Sequence, residues 1–242
     1  MNNKLRLLLP SGMAGDAYNV FKQCGYASEG LDREMQWRME NRRSTGKLNN
    51  NKYEGERAIF YVPRSNGVLA AIDNGRAEVG IVGEDAKFEY EFATGRGGGF
   101  RSFELGEDMS ANFPKMRFSL VGKSEFEKEF LRGMQMNKFL EIVTSYPGNA
   151  RKYFAENFPN FQSALLDLIE SKGQTELMVG DLNLANIAFE LVVTGDSLKK
   201  NGLIEYTTPS QPIPVMGIAN NGAEYNRNEI RELTSRMEEL SV

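Results

Sequence analysis

The chain has 242 residues, of which 40% are hydrophobic and 26% are charged, with a formal net charge of −4; this composition is typical of a globular protein with one large domain or two small ones. It contains no histidine and one cysteine, which excludes imidazole bases, histidine zinc sites and an internal disulfide framework. The net negative charge argues against sequence-independent nucleic-acid binding. No apolar run approaches the roughly 20 residues of a membrane span, and the N-terminus does not resemble a signal peptide. A cytoplasmic protein is therefore expected.

Predicted elements in the first half of the chain alternate between strand and helix. They cover residues 5–9, 15–24, 58–62, 68–74 and 78–85. The first strand closes with the tight turn Pro10-Ser11-Gly12, which is typical of the start of an α/β unit. The strand over 78–85 ends in Gly-Glu-Asp, at the edge where open α/β sheets bind ligands, although such an acidic pair is more often a solvated loop. Residues 25–56 are interpreted as a polar, solvated region with a loop or hairpin tip at Asn49-Asn50-Asn51, and the glycine-rich stretch within residues 88–106 as a crossover loop between lobes.

The second half continues the same alternation. Predicted strands cover residues 116–121, 140–144, 164–169, 186–192, 204–207 and 215–219. One predicted helix begins after residue 147, and two others cover residues 198–201 and 223–240. Such a pattern predicts a parallel or mixed sheet with helices on both faces. Crossing points near 90–105 and 185–192 divide the chain into lobe I, residues 1–92 plus 190–242, and lobe II, residues 93–189. A helix that begins after Ser145-Tyr146-Pro147 offers free N–H groups and is a second possible anion site.

One predicted strand opens into a turn with the composition of a phosphate site. The strand over 186–192 carries an acidic residue, Glu190, and is followed by Thr194-Gly195-Asp196-Ser197 and a helix start at Leu198. Backbone N–H groups that converge at such a turn favour an anion, and the Glu190 carboxylate can accept hydrogen bonds from sugar hydroxyls. The pattern predicts a ribose 5-phosphate pocket, while an ordinary turn after a strand stays open. The Asp196 carboxylate would repel a phosphate unless it faces solvent or a metal ion.

The stretch from Glu190 to Leu203 resembles the phosphoribosyl-diphosphate loop of the ATP phosphoribosyltransferases, the first enzymes of histidine biosynthesis. That loop reads roughly Asp-Leu-Val-x-Thr-Gly-x-Thr-Leu-x-x-Asn-Gly-Leu, and here Glu replaces the Asp and Ser the second Thr. Further short blocks, in the same order as in the family, extend the resemblance over roughly residues 4 to 207. The resemblance implies an α/β, two-lobed, periplasmic-binding-protein-like (type II) fold with mixed sheets and a ligand cleft between the lobes. It also implies the short form of the enzyme.

The resemblance implies an activity and a set of site residues. The reaction would join N1 of ATP to C1 of phosphoribosyl diphosphate and give phosphoribosyl-ATP and diphosphate, with Mg²⁺ as cofactor. No residue is assigned a covalent or acid–base catalytic role, and no metal ligand is assigned. The residues expected to bind phosphoribosyl diphosphate are Glu190, Thr194, Gly195, Asp196, Ser197 and Leu198. Those expected to bind nucleotide or phosphate are Gly12, Arg64, Arg117, Ser145, Tyr146 and Glu176. The implied partners are a second copy of the chain, as a homodimer, and a regulatory subunit resembling a histidyl-tRNA synthetase.

Several positions depart from the family pattern. Ser11 and Met13 stand where the family has a lysine and an arginine that meet the polyphosphate substrates, and Gly67 and Asn186 replace family aspartates. Losing two cations from a site for triphosphate and diphosphate is a large electrostatic change. Two alternatives therefore stay open: a phosphoribosyltransferase with a changed acceptor, and a non-catalytic relative that binds a nucleotide or another anion. Arginines of an insertion over residues 37–57 could also replace the missing cations.

Overall fold

The structure is a computed structural model that describes residues 4–40, 51–95, 97–171, 175–182, 184–206, 210–222 and 227–239. The chain forms two compact units, Met1–Phe113 with Pro214–Val242 as unit 1, and Pro114–Ile213 as unit 2. Each unit is built on its own sheet, of six strands in unit 1 and five in unit 2 among the residues that the structure describes. No helix in the described ranges is long and apolar enough to cross a membrane.

The strands are β1 (Leu5–Leu8), β2 (Lys52–Glu54), β3 (Ala58–Tyr61), β4 (Val79–Gly83), β5 (Phe100–Glu104), β6 (Arg117–Gly122), β7 (Leu140–Thr144), β8 (Leu166–Glu170), β9 (Ile187–Val192), β10 (Ile204–Glu205) and β11 (Val215–Asn220). The helices are α1 (Ala14–Gln23), α2 (Glu29–Glu40), α3 (Ser65–Asp73), α4 (Glu84–Thr94), α5 (Glu107–Ser110), α6 (Glu127–Gln135), α7 (Pro147–Asn157), α8 (Thr175–Gly180), α9 (Asp196–Lys200) and α10 (Asn228–Glu239). Short 3-10 turns cover Ser124–Phe126 and Ser163–Leu165.

Unit 1 contains a mixed sheet in the order β2-β3-β1-β4-β11-β5. Strands β1, β3 and β4 run parallel, and β11 runs antiparallel to both β4 and β5. Helix α3 buries Val68, Leu69 and Ile72 against this sheet. The glycine at position 80 permits the contact, because a Cβ there would lie 2.6 Å from Val68 Cγ1. Gly80, one of the two glycines in the 78–85 stretch, thus lets α3 approach the sheet closely.

Unit 2 contains a mixed sheet in the order β10-β6-β9-β7-β8. Strands β7, β8 and β9 run parallel, while β6 runs antiparallel to β9 and β10. An aromatic cluster covers one face and includes Phe118, Tyr153 and Phe189. An aliphatic cluster covers the other face, where Val121 and Val192 pack with residues of α8 and α9. Since β9 is largely buried on both faces, its sequence is apolar at every position except Glu190 and does not alternate.

The α/β fold with two mixed sheets is confirmed, but the units divide at other residues than the sequence-based lobes. Residues 93–113 belong to unit 1, because β5 pairs with β11. Residues 190–213 belong to unit 2, because β9 completes its pairing with β6, and β10 then adds to the same sheet. Glu190 and its turn are therefore part of the unit built from the middle of the chain.

The predicted crossover loop was wrong. The glycine-rich stretch within residues 88–106 does not cross between lobes, because it connects α4 to the strand β5 and both belong to unit 1. The polar stretch after residue 25 contains α2, and the structure also has β2 near the end of that stretch. Of the insertion's arginines, expected as possible replacements for the missing cations, those at positions 42 and 43 lie outside the described residues. The Arg57 guanidinium donates to the Tyr26 hydroxyl at 3.2 Å and pairs with Glu229.

Candidate phosphate-binding site

One edge of the unit 2 sheet collects most of the residues singled out from the sequence. The carboxyl ends of the parallel strands β7, β8 and β9 lie on this edge. The amino end of β6 joins them, because Arg117 lies opposite Val192 in the antiparallel pair. Ligands of open α/β sheets bind at such edges. The predicted residues on or directly after these strand ends are Arg117, Ser145, Tyr146, Glu176, Glu190, Thr194, Gly195, Asp196, Ser197 and Leu198.

Glu190 lies near the end of β9, with its carboxyl group partly buried. The Thr175 hydroxyl, at the start of α8, donates a hydrogen bond to its Oε2, and the Leu191 amide donates to its Oε1 at 3.0 Å. Burial, and less strongly the nearby Glu176 carboxylate, raises the pKa of Glu190 to about 7. A ligand that donates hydroxyl groups to this carboxyl would favour its ionised form.

The turn after β9 places two hydroxyl groups and a glycine in sequence. Gly195 has φ of 75°, a left-handed conformation that an L side chain adopts at a cost. The Thr194 hydroxyl donates to Asp196 Oδ2 at 2.8 Å, and the Asp196 amide donates to Thr194 Oγ1 at 3.3 Å. The Ser197 hydroxyl donates to Glu176 Oε1 at 2.9 Å. Both predicted phosphate donors therefore point at carboxylates, whose places a phosphate could take.

The backbone of the turn is also available to an anion. In the described part of the chain, the amides of Ser197 and Leu198 donate to no backbone acceptor. The Leu198 side chain is only 3% exposed and packs in the aliphatic cluster of unit 2. Leu198 can therefore reach a ligand only through its amide, while its side chain anchors the turn to the sheet.

Arg117 lies at the same edge, but its guanidinium is already engaged. Nε and Nη2 donate to the two carboxylate oxygens of Glu205 at 3.1 and 2.5 Å. Nη1 donates to the Val193 carbonyl at 3.2 Å. The predicted contact with phosphate stays a prediction, and these bonds would have to be shared or replaced to make it.

The segment after β7 is partly buried. The Tyr146 amide donates to Thr144 Oγ1 at 2.9 Å, and its ring packs edge-on against Phe118 with centroids 5.2 Å apart. Helix α7 then begins at Pro147, in the first turn where proline is favoured. Ser145 and Tyr146 therefore stand at the helix start that the sequence predicted.

Unit 1 brings together the other two predicted residues, Gly12 and Arg64. The Ser11 amide donates to the Pro63 carbonyl at 2.8 Å, so the turn after β1 lies beside the turn after β3. The Arg64 side chain is exposed and directly precedes α3.

In unit 1 the carboxyl ends of β1, β3 and β4 lie on one edge of the sheet, and the segment after β4 is acidic. Burial raises the pKa of Asp85, in the first turn of α4, to about 6. Asp85 is 8% exposed, so the acidic pair of the Gly-Glu-Asp motif is not simply a solvated loop. This edge of unit 1 therefore carries both an exposed cationic side chain and a buried carboxyl.

The described residues contain no group of three or more His, Cys, Asp or Glu side chains that could hold a metal ion. Magnesium in phosphate-transfer sites is usually held by one or two carboxylates together with substrate phosphates. The carboxylates of Glu176 and Asp196, which accept hydrogen bonds from the turn hydroxyls, fit that mode.

Two residues of this edge were not singled out from the sequence. Thr175 directly precedes the predicted residue Glu176, but no sequence pattern marks its hydroxyl as part of a site. Glu205 lies in the predicted strand over 204–207 without a motif. Its contact with Arg117 depends on β10 lying next to β6, which no local signal predicts.

The sequence and the structure both resemble known proteins. The family model of the ATP phosphoribosyltransferases matches residues 64–239. The ATP phosphoribosyltransferase of Clostridium acetobutylicum is 28% identical over 148 residues, which are 60% of this chain and 57% of that protein. That of Clostridium kluyveri is 30% identical over 162 residues, which are 63% and 64% of the two proteins. The matches thus span less than two thirds of these relatives.

Among solved structures, the chain resembles the ATP phosphoribosyl transferase (HisG:HisZ) complex from Thermotoga maritima. The TM-score is 0.62 at 18% identity, and the match covers 97% of this chain and 98% of that chain. At this identity the likeness shows a shared fold.

Proposed function

Because the chain belongs to the ATP phosphoribosyltransferase family, we propose that it joins N1 of ATP to C1 of phosphoribosyl diphosphate, giving phosphoribosyl-ATP and diphosphate. The observation that carries the proposal is the turn after β9. It combines the Thr194 and Ser197 hydroxyls with free backbone amides, directly beyond a strand that bears Glu190. This combination of donors and one acceptor matches a ribose 5-phosphate.

In the proposed complex, the 5-phosphate takes the places of two carboxylates. The Thr194 hydroxyl turns from Asp196 and the Ser197 hydroxyl turns from Glu176 to donate to phosphate oxygens. The amides of Ser197 and Leu198 donate to the same group. Glu190 accepts hydrogen bonds from the ribose hydroxyls, and the Thr175 hydroxyl keeps its carboxyl oriented.

The reaction forms a bond between N1 of adenine and C1 of ribose as the C1–oxygen bond breaks and its electron pair leaves with diphosphate. Positive charge gathers on the sugar ring in the transition state, so orientation and electrostatics carry the catalysis and no covalent intermediate is required. The ionised Glu190 carboxylate lies where it can stabilise that charge through the ribose. Magnesium bound to the diphosphate would supply compensation for its negative charge as it leaves.

Membership of the family also supports proposals about assembly and location. The Thermotoga maritima protein is a two-component complex, and a regulatory subunit is proposed here as well, together with a homodimer and a cytoplasmic location. Gly12 and Arg64, on the edge of unit 1, are proposed to contact nucleotide or phosphate groups. Ser145 and Tyr146 are proposed for the same role in unit 2.

A changed acceptor is the second candidate function, and one observation favours it. Position 13, where the family has an arginine, holds a methionine that is only 7% exposed. That position therefore packs into the protein and presents no cation to a triphosphate. A phosphoribosyltransferase that uses a less charged base than ATP would fit this change.

The test is an assay of purified protein with phosphoribosyl diphosphate, Mg²⁺ and ATP, in which phosphoribosyl-ATP and diphosphate are both measured, with and without a candidate regulatory subunit. The proposal predicts equal amounts of both products, and their loss in the Thr194→Val/Ser197→Ala double variant. Diphosphate release with another base but not with ATP would select the changed acceptor. Binding of phosphoribosyl diphosphate without turnover under every condition would select a non-catalytic relative.

A further inference from the structure

Arg117 connects the two ends of the segment that carries the candidate phosphate turn. Val193, whose carbonyl accepts from Arg117 Nη1 at 3.2 Å, is the first residue after β9. Glu205, whose carboxylate accepts from Nε and Nη2, is the last residue of β10. One guanidinium thus binds the beginning and the end of the connection over residues 193–205, which contains the turn and α9.

The rest of that connection is held by burial at two points. Leu198 and Leu203 are each 3% exposed and pack in the aliphatic cluster. Both leucines come after the turn in sequence, whereas Val193 begins the turn and is 43% exposed. At the Val193 end of the turn, Arg117 of the neighbouring strand β6 supplies the side-chain hydrogen bond found among the described residues.

We propose that Arg117 is a positioning residue, which holds the turn over 193–197 in its phosphate-binding conformation through Glu205 and the Val193 carbonyl. The inference rests on the proposed function, because it assumes that phosphoribosyl diphosphate binds at this turn. The bidentate pair with Glu205 fixes the plane of the guanidinium. With that plane fixed, Nη1 points at Val193 and restrains the first peptide of the turn.

A direct contact between Arg117 and phosphate is the alternative, and the two roles give opposite predictions for Glu205. If Arg117 bound phosphate directly, Glu205→Gln would release the guanidinium and remove a negative charge near the anion, so affinity would stay the same or rise. If Arg117 is a positioning residue, the same change loosens the guanidinium and weakens binding, despite the more favourable net charge.

The experiment compares Arg117→Lys, Glu205→Gln and the double variant with the wild-type protein. Arg117→Lys keeps the positive charge but cannot make the fork to Glu205 and the bond to Val193 together. The control is Glu232→Gln, which removes the carboxylate of the exposed pair with Arg236 in α10 of unit 1. Binding of phosphoribosyl diphosphate is measured by calorimetry, KM for each substrate by steady-state kinetics, and amide hydrogen exchange over residues 193–198 by mass spectrometry.

The proposal predicts that each single variant weakens phosphoribosyl diphosphate binding by roughly tenfold, as expected for loss of a charge-assisted hydrogen bond. KM for ATP should stay within about twofold of the wild-type value. The double variant should bind phosphoribosyl diphosphate no more weakly than the worse single variant. Amide hydrogen exchange over residues 193–198 should be faster than wild type in all three variants. Weaker binding in Arg117→Lys alone, with wild-type affinity in Glu205→Gln, would overturn it.

Failure of the proposed function gives a different result. A wild-type protein that neither binds phosphoribosyl diphosphate nor turns over ATP would refute the function, and the positioning role with it as a role in phosphate binding. The exchange measurement would then still show whether Arg117 and Glu205 restrain this turn. Unchanged exchange in both single variants would refute the restraint itself.

Discussion

The Glu190 carboxyl should make the stability of the protein depend on pH. Its pKa is raised from the ordinary value of 4.5 to about 7 in the folded chain, chiefly by burial. Between these two values the folded chain holds a proton that the unfolded chain has released. The free energy of unfolding therefore falls as pH rises from 4.5 to about 7, and this group causes no further change above that. At 1.36 kcal/mol per pH unit, the full effect is about 3 kcal/mol.

Glu190→Gln isolates this effect, because glutamine has nearly the same size and still offers the Thr175 hydroxyl an acceptor but does not titrate. The free energy of unfolding would be measured by urea denaturation at pH 5 and pH 8. Relative to wild type, the variant should be more stable at pH 8 than at pH 5 by about 2.5 kcal/mol. Glu141→Gln, an exposed glutamate of β7, gives the background for loss of one surface carboxylate. The same Glu190→Gln difference at both pH values would refute the reasoning.

Three further predictions concern the same edge of unit 2. Affinity for phosphoribosyl diphosphate should rise about tenfold between pH 6 and pH 8 as Glu190 ionises, and calorimetry should show no such rise beyond the ligand's own titration in Glu190→Gln. Ser119→Ala should raise the free energy of unfolding by about 1 kcal/mol, because the buried Ser119 hydroxyl has no hydrogen-bond partner among the described residues; an equal or lower value in urea denaturation would contradict this. Gly195→Ala should lower the free energy of unfolding by roughly 1–2 kcal/mol, the cost of a side chain at positive φ. The control Gly97→Ala, where a Cβ would meet no atom within 4 Å and the backbone is not in the left-handed region, should show no such loss.

The strands of unit 2 were predictable because they are short apolar runs bounded by turn residues. The predicted strand over 140–144 has the bounds of β7, and the predicted strand over 186–192 differs from β9 by one residue. The turn after β9 was also recognisable, since glycine between hydroxyl-bearing residues marks a change in chain direction. Local composition therefore marked the turn, while its assignment to phosphoribosyl diphosphate came from the family resemblance.

The contacts of the site could not be predicted in the same way. Arg117 and Glu205 are separated by 88 residues and meet only because β10 pairs with β6. The hydrogen bond from Ser197 to Glu176 depends on α8 lying beside the turn after β9. Residues 93–113 were assigned to lobe II but belong to unit 1, because their strand β5 pairs with β11, which lies more than a hundred residues later. These are properties of sheet order, which local sequence does not encode.

The most direct test of the account is a crystal structure of the protein with phosphoribosyl diphosphate and Mg²⁺. The account predicts the 5-phosphate within hydrogen-bonding distance of the Thr194 and Ser197 hydroxyls, which have left Asp196 and Glu176, and the ribose hydroxyls on Glu190. A phosphate bound elsewhere, with both of those side-chain hydrogen bonds still in place, would contradict it.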